Sequence, residues 1–350
     1  MKIIVFALSG LGDAIMFMPA LSALEQSEHV VEIVVLTMFA PVKDILKHCS
    51  KKTTPIVWNF LKENPFKSLS FFFSLRKRKF DYSFVVFPAN RYHYNIISFI
   101  VGANKRYGHR YLHDNIKSLH YLNNNVILEN NNLHNVEENI ILVESAGFNC
   151  NLRKVLYHNF STTPSDVVEQ WLKTHNSDNR ILIGIHAGSA VLKNQMNKRW
   201  SKAKFAELAI KLSEHFNARL CLFGGPEEND LNDWISEHSN AISIKFKKFS
   251  DSMSLMNHCR LFVSNDSGLM HTASLLNIPT VAIFGYTDPN HTKPWFNHSI
   301  VVRKNMNCSP CFYFSPKPAH CKEYQGDESF KCIKDITVEE VFQACCSLMK

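Results

Sequence analysis

Along the chain, short runs of apolar and β-branched residues alternate with longer stretches in which apolar positions recur every three or four residues. The short runs read as strands buried on both faces, and the longer stretches as helices that cover them. In the first half, strands are expected at Ile3–Leu8, Val31–Thr37, Thr53–Trp58 and Phe84–Phe87. Pro65–Phe80 is apolar in its middle and ends on Arg76-Lys77-Arg78-Lys79. That run suits a solvated helix C-terminus or, alternatively, contact with an anionic lipid or acceptor. Asn115–Asn132 is asparagine-rich and weakly patterned, so an exposed connection with one embedded strand is expected. His134-Asn135-Val136-Glu137 opens a helix that closes at Ala146-Gly147, and Ser161–Asp166 caps the next.

The second half repeats the alternation. Strands are expected at Ile181–Ile185, Arg219–Phe223, Leu261–Ser264 and Thr280–Phe284, and helices at Lys204–His215, Ser254–Cys259, Leu269–Leu276 and Val338–Met349. Val191–Asn197 shows no order of its own. Such βαβ alternation predicts an α/β protein made of two doubly wound domains.

A length of 350 residues agrees with two domains, and a hydrophobic content of 45% is ordinary for a globular chain. No apolar run is long enough to span a bilayer. The first residues imitate a secretion signal, but Gly10, Gly12 and Asp13 interrupt the apolar run, so a first buried strand is the better reading. Without a signal, the ten cysteines fit a reducing compartment. The net charge of +8 points to an anionic partner without choosing it. The basic residues are dispersed and not set in a stripe with aromatics, which argues against a nucleic-acid binder.

Four turns carry candidate chemistry. Ser9-Gly10-Leu11-Gly12-Asp13 follows the first strand, but it lacks the third glycine and distant acid of a dinucleotide fingerprint, so an oxidoreductase finds little support. His186-Ala187-Gly188-Ser189-Ala190 is a small, donor-rich turn followed by Lys198-Arg199-Trp200. Gly224-Gly225-Pro226-Glu227-Glu228 follows another strand, where an acid can accept from ribose hydroxyls; Glu227 is the choice and Glu228 its rival. Asn265-Asp266-Ser267-Gly268 offers N-cap chemistry before a helix whose positive end suits phosphate, with His271 one turn on.

Ser264–His271, Phe284-Gly285-Tyr286-Thr287-Asp288-Pro289, Ser9–Asp13 and His186–Trp200 together resemble the bacterial heptosyltransferases, glycosyltransferase family 9. The resemblance implies the GT-B fold, two Rossmann-like domains facing across a cleft, with the acceptor on residues 1–165 and the nucleotide sugar on 166–335. It also implies that the terminal helix, 336–350, packs back on the first domain. The implied reaction moves a heptose from ADP-heptose to a lipopolysaccharide core or related anionic acceptor, by one inverting displacement without a catalytic metal. Asp13 is then the general base. Lys198 and the N–H groups near Ser267 and Gly268 stabilise the departing diphosphate, with Gly188, Ser189 and Glu227 beside the donor. Asp266 holds a sugar hydroxyl, and His271 reaches the phosphates or braces the turn. Gly12, Arg91 and Arg110 fall on the acceptor side. A cytoplasmic enzyme with peripheral contact at the inner face of the membrane is implied. The alternatives are a same-fold transferase with another nucleotide sugar or a protein acceptor, and an inactive nucleotide-sugar-binding protein.

Cys308-Ser309-Pro310-Cys311, Cys321 and Cys332 could supply four thiolates to one structural zinc or iron ion, against a reading as reduced thiols in a loop. The segment has little apolar periodicity, so something other than its own core must order it.

Overall fold

The computed structural model describes residues 1–47, 49–113, 117–150, 165–190, 192–312 and 319–350. The chain divides into two units, Met1–Asn159 and Phe160–Lys350. The expected cap at residues 161–164 lies outside the described residues.

The first unit holds β1 (Lys2–Ala7), β2 (Glu32–Thr37), β3 (Thr53–Val57), β4 (Tyr82–Val85), β5 (Lys105–Arg110) and β6 (Asn125–Leu128). All pairings are parallel, in the order β3-β2-β1-β4-β5-β6. Ile4, Phe6, Val34, Leu36 and Val85 join Phe72, Leu75 and Ile97 from covering helices in one buried cluster. Pro55 has no N–H to give, and it sits on the edge strand β3, where that loss is tolerated. The strand Lys105–Arg110 escapes the apolar pattern because four of its six residues are Lys, Arg or His, although Tyr107, Gly108 and His109 face inward.

In the second unit, β7 (Leu182–His186), β8 (Arg219–Leu222), β9 (Ile242–Ser243), β10 (Cys259–Asn265), β11 (Thr280–Ile283) and β12 (Ser299–Val302) pair in the order β12-β11-β10-β7-β8-β9. The unit therefore repeats the strand order of the first. In each sheet the order reverses beside the first strand, between β1 and β4 and between β7 and β10. Beyond the carboxyl ends of the strands at such a reversal, two loops turn apart and leave a crevice for a ligand.

In the terminal helix Val338–Leu348 the apolar face, Val338, Val341, Phe342, Ala344 and Cys345, is buried in the core of the second unit with Leu208, Leu212 and Ile283. Its start is fixed by a capping box in which Thr337 and Glu340 satisfy each other's backbone. The Trp200 indole N–H donates to Ile336 O (2.9 Å), and Lys204 Nζ to Lys334 O and Ile336 O (2.6 and 2.8 Å). The segment 192–198 forms 3-10 turns, where the sequence pattern over 191–197 shows only a loop without clear order. Among the described residues, no helix is long and apolar enough to cross a membrane.

Candidate functional site

At the reversal in the second sheet, β7 ends on His186 and β10 on Ser264-Asn265, and the helix Gly268–Leu275 begins immediately after. Asn265 is fully buried and joins three segments. Its amide donates to Ala187 O and Gly188 O (2.8 and 3.2 Å), and its oxygen accepts from Trp200 N (3.0 Å). Ser267 is the N-cap, its hydroxyl accepting from Met270 N (3.3 Å). The first-turn amides of this helix and its dipole therefore point to one place.

Lys198 reaches that place from the preceding 3-10 turns and pairs with Asp266 (Nζ–Oδ2 2.7 Å). Thr287 donates to the same oxygen (2.9 Å). Burial alone would raise the Asp266 carboxyl; the Lys198 ammonium, helped by His271 and Thr287, overcomes it and holds the group below its ordinary value. Burial pushes the His271 imidazole down to about 4, so at neutral pH it is uncharged.

A second network lies alongside. His186 Nδ1 is 2.9 Å from Ser267 Oγ, and its Nε2 is 3.0 Å from Glu228 Oε2. Gly225 N–H donates to the same Glu228 oxygen (3.1 Å), and Arg199 pairs with Oε1 (3.3 Å). A carboxylate brings no hydrogen, so Nε2 carries one. Ser264 directs its own hydrogen to Asn265 O (2.8 Å) and stands 3.1 Å from Ser267 Oγ. Burial works against ionised Glu228, yet the nearby His186, Gly225 N–H and Arg199 hold its carboxyl below the ordinary value. Gly188 permits this closeness: a Cβ there would lie 1.6 Å from Glu228 Oε1. Ser189 is buried, donating to Gln195 O (2.8 Å) and accepting from Arg199 Nε (3.2 Å).

Of the residues expected to bind donor, Gly188, Ser189, Lys198, Asp266, Ser267, Gly268 and His271 are thus gathered around one reversal. Glu227 is exposed and lies off the His186 network, whereas its rival Glu228 is buried within it. His186, Asn265 and Thr287 stand in the recognised motifs, but their roles rest on contacts across about 80 residues for His186 and Asn265 and 21 for Thr287, which adjacency in sequence does not display.

In the first unit, Gly12 and Asp13 lie in the short helix Leu11–Met16 that follows β1. Ser9 Oγ donates to Pro88 O (2.5 Å) and Tyr94 OH to Leu8 O (3.3 Å), tying the loops after β1 and β4 together. Burial raises the Tyr94 hydroxyl, with Arg91 and Ser9 opposing and Asp13 assisting, so these groups share one neighbourhood. Arg110 ends β5 and is exposed.

Among the described residues no group of three or more His, Cys, Asp or Glu is placed to hold a metal ion, so a structural ion on Cys308, Cys311, Cys321 and Cys332 finds no support. The thiols do influence one another: burial first, then Cys311, Cys308 and Cys321, push Cys332 up to about 11. Hydrogen bonds hold Ser309, Cys311 and Phe312 to the preceding turn. Ser309 Oγ donates to Gly285 O (2.8 Å), Cys311 N to Tyr286 O (3.0 Å), and Cys332 packs with Tyr286 and Ala319.

The model of glycosyltransferase family 9 (heptosyltransferase) matches residues 69–319, well over half of the chain. The chain belongs to glycosyltransferase family 9. Lipooligosaccharide heptosyltransferase 2 of Campylobacter jejuni is 31% identical over 161 residues, 44% of this chain and 47% of that protein. The chain thus spans about half the length of the curated relatives it first matches. The fold extends further. The structure of Escherichia coli ADP-heptose lipopolysaccharide heptosyltransferase II superposes with a TM-score of 0.73 at 22% identity, covering 100% of this chain and 98% of that one. The family 9 transferase of Veillonella parvula gives 0.76 at 20% identity, covering 99% and 97%. These likenesses place the chain among the GT-B folds.

Proposed function

We propose that this family 9 protein transfers heptose from ADP-heptose to a lipopolysaccharide core acceptor. One observation carries the reading: a lysine–carboxylate pair, Lys198 and Asp266, stands at the N-terminus of the helix Gly268–Leu275, at the strand-order reversal of the second sheet. A departing ADP gathers negative charge on its diphosphate, and that helix end with the Lys198 ammonium meets it. The names of the similar heptosyltransferases support the sugar and the acceptor.

The roles follow from this reading. Lys198 shifts part of its interaction from Asp266 to the diphosphate as the glycosidic bond breaks. Asp266 anchors that lysine and takes a donor-sugar hydroxyl, Gly188 and Ser189 shape the wall, and an acid of the Gly225 turn, Glu227 or Glu228, serves the ribose. In the first unit Asp13 removes the acceptor hydroxyl proton as that oxygen attacks the anomeric carbon with inversion, and Arg91 receives acceptor charge. Asp13 precedes the span matched by the family model, so its role rests on its place after β1 beside Ser9 and Tyr94.

The test is ADP release from ADP-heptose with and without a heptose-free lipopolysaccharide core, beside thermal shifts with ADP, UDP and GDP. Acceptor-dependent release and the largest shift with ADP are expected. Binding without release leaves a binding protein, and a larger shift with UDP or GDP identifies another donor.

A further inference from the structure

The helix Pro65–Arg76 is apolar nearly all round, yet only one of its faces is covered. Phe72 and Leu75 enter the core of the first unit; Ser68 accepts from the Trp58 indole N–H (3.1 Å), and Trp58 stacks on Phe71 at 4.3 Å. At about 100° per residue, Phe66, Leu69 and Phe73 fall within ~60° of one another on the opposite side. Their exposures are 81%, 41% and 49%, high for a contiguous apolar stripe. Phe99, on the helix Tyr92–Val101 that packs beside it, is also exposed.

The charges around this stripe have one sign. Between Asn64 and Phe80 there are five Lys and Arg residues and no Asp or Glu. Arg78 is engaged by Glu32, and Arg76 donates to Ile100 O (3.0 Å). Lys67, Lys77 and Lys79 are exposed, and Lys77 caps the helix in line with the stripe. Glu63 is the nearest acid before the helix and Asp81, which accepts from Lys2 N, the nearest after it. Exposed phenylalanine and leucine with lysines at their margins match an anionic bilayer surface: rings enter the acyl boundary while ammonium groups stay at the headgroups.

We propose that the outer face of the helix Pro65–Arg76 docks the protein on an anionic phospholipid surface, seated on Phe66, Leu69 and Phe73 and held by Lys67, Lys77 and Lys79. The inference deepens the reading of a lipid-borne acceptor and rests on it for its purpose. Its physical test is independent of catalysis.

Full-length protein is sedimented with vesicles of phosphatidylglycerol and phosphatidylethanolamine, and separately with phosphatidylcholine alone. Salt-sensitive binding to the first and weak binding to the second are expected. Phe66→Ser/Phe73→Ser should lower partitioning by about tenfold or more. Lys77→Gln/Lys79→Gln should lower it by about fivefold per lysine at low salt. Both variants replace exposed side chains, so their thermal melts should match the parent, as should ADP release with a delipidated acceptor. Equal binding to both vesicle types, or unchanged partitioning of the phenylalanine variant, overturns the proposal. A change of oligomeric state without a change in vesicle binding assigns the face to a second copy and overturns it equally. Should no ADP be released by any form, the catalytic reading fails while the vesicle result still decides this one.

Discussion

The two units share a strand order and differ in how their strand reversals are furnished. In the second, buried charged and polar groups lock one another: Lys198 with Asp266 and Thr287, and Glu228 with His186, Gly225 and Arg199. In the first, Ser9 is tied to Pro88 and Tyr94 to Leu8, with Asp13 and Arg91 half-buried. The contrast suits two tasks. A diphosphate always presents the same charge and is best met by preset dipoles. An acceptor hydroxyl needs one base and room for a varied sugar.

The comparison is broken most severely by Lys198→Met. It leaves the Asp266 carboxylate buried without its cation, which should cost about 3 kcal/mol of stability, read by denaturant titration. In the parent, Asp266 lies below its ordinary 3.8, so its contribution is complete above that pH and is lost as pH falls through the folded value. In the variant only Thr287 and His271 still oppose burial, so acid unfolding should begin at a higher pH; an unmoved acid limb would refute the pair's importance. Asp13→Asn should reduce turnover by about a hundredfold or more while calorimetric ADP affinity changes by less than about threefold, separating the tasks of the units.

Glu228→Gln probes the second network more gently. One amide oxygen can still take His186 and Gly225, but the pairing with Arg199 is lost, so ADP affinity should fall by about tenfold. Adding His186→Gln to that variant should cost much less than it does alone, because the residues act as one unit. The smallest effect separates the arginines. Arg91→Gln should raise the acceptor KM by about threefold, and Arg110→Gln should leave it within experimental error.

Much of this was legible in the sequence where the signal is local. A glycine-rich turn after the first strand and small, donor-rich turns in the second half marked the loops at the two reversals, and Ser267 before a helical pattern marked the N-cap. Longer reach defeated the pattern. The burial of Glu228 in the His186 network depends on Gly188, some 40 residues earlier, whose missing side chain leaves room for that carboxylate. Charged Lys105–Arg110 does not look like a strand until its neighbour β4 pairs with it. A Cys-x-x-Cys spacing invites a metal, but spacing says nothing of whether the sulfurs converge, and here hydrogen bonds hold Cys311 and Phe312 to the turn at Tyr286.

The tie between Trp200 and Ile336 also bears on how the protein is made. Trp200 flanks the donor turn through Asn265, and its indole finds its acceptor only after another 136 residues have been added. During synthesis the first unit can settle as soon as its own strands have left the ribosome. The second must wait with an exposed tryptophan and an open sheet face until Val338–Leu348 arrives to cover them. Within this chain, the nascent second half is therefore where chaperones have most to shield.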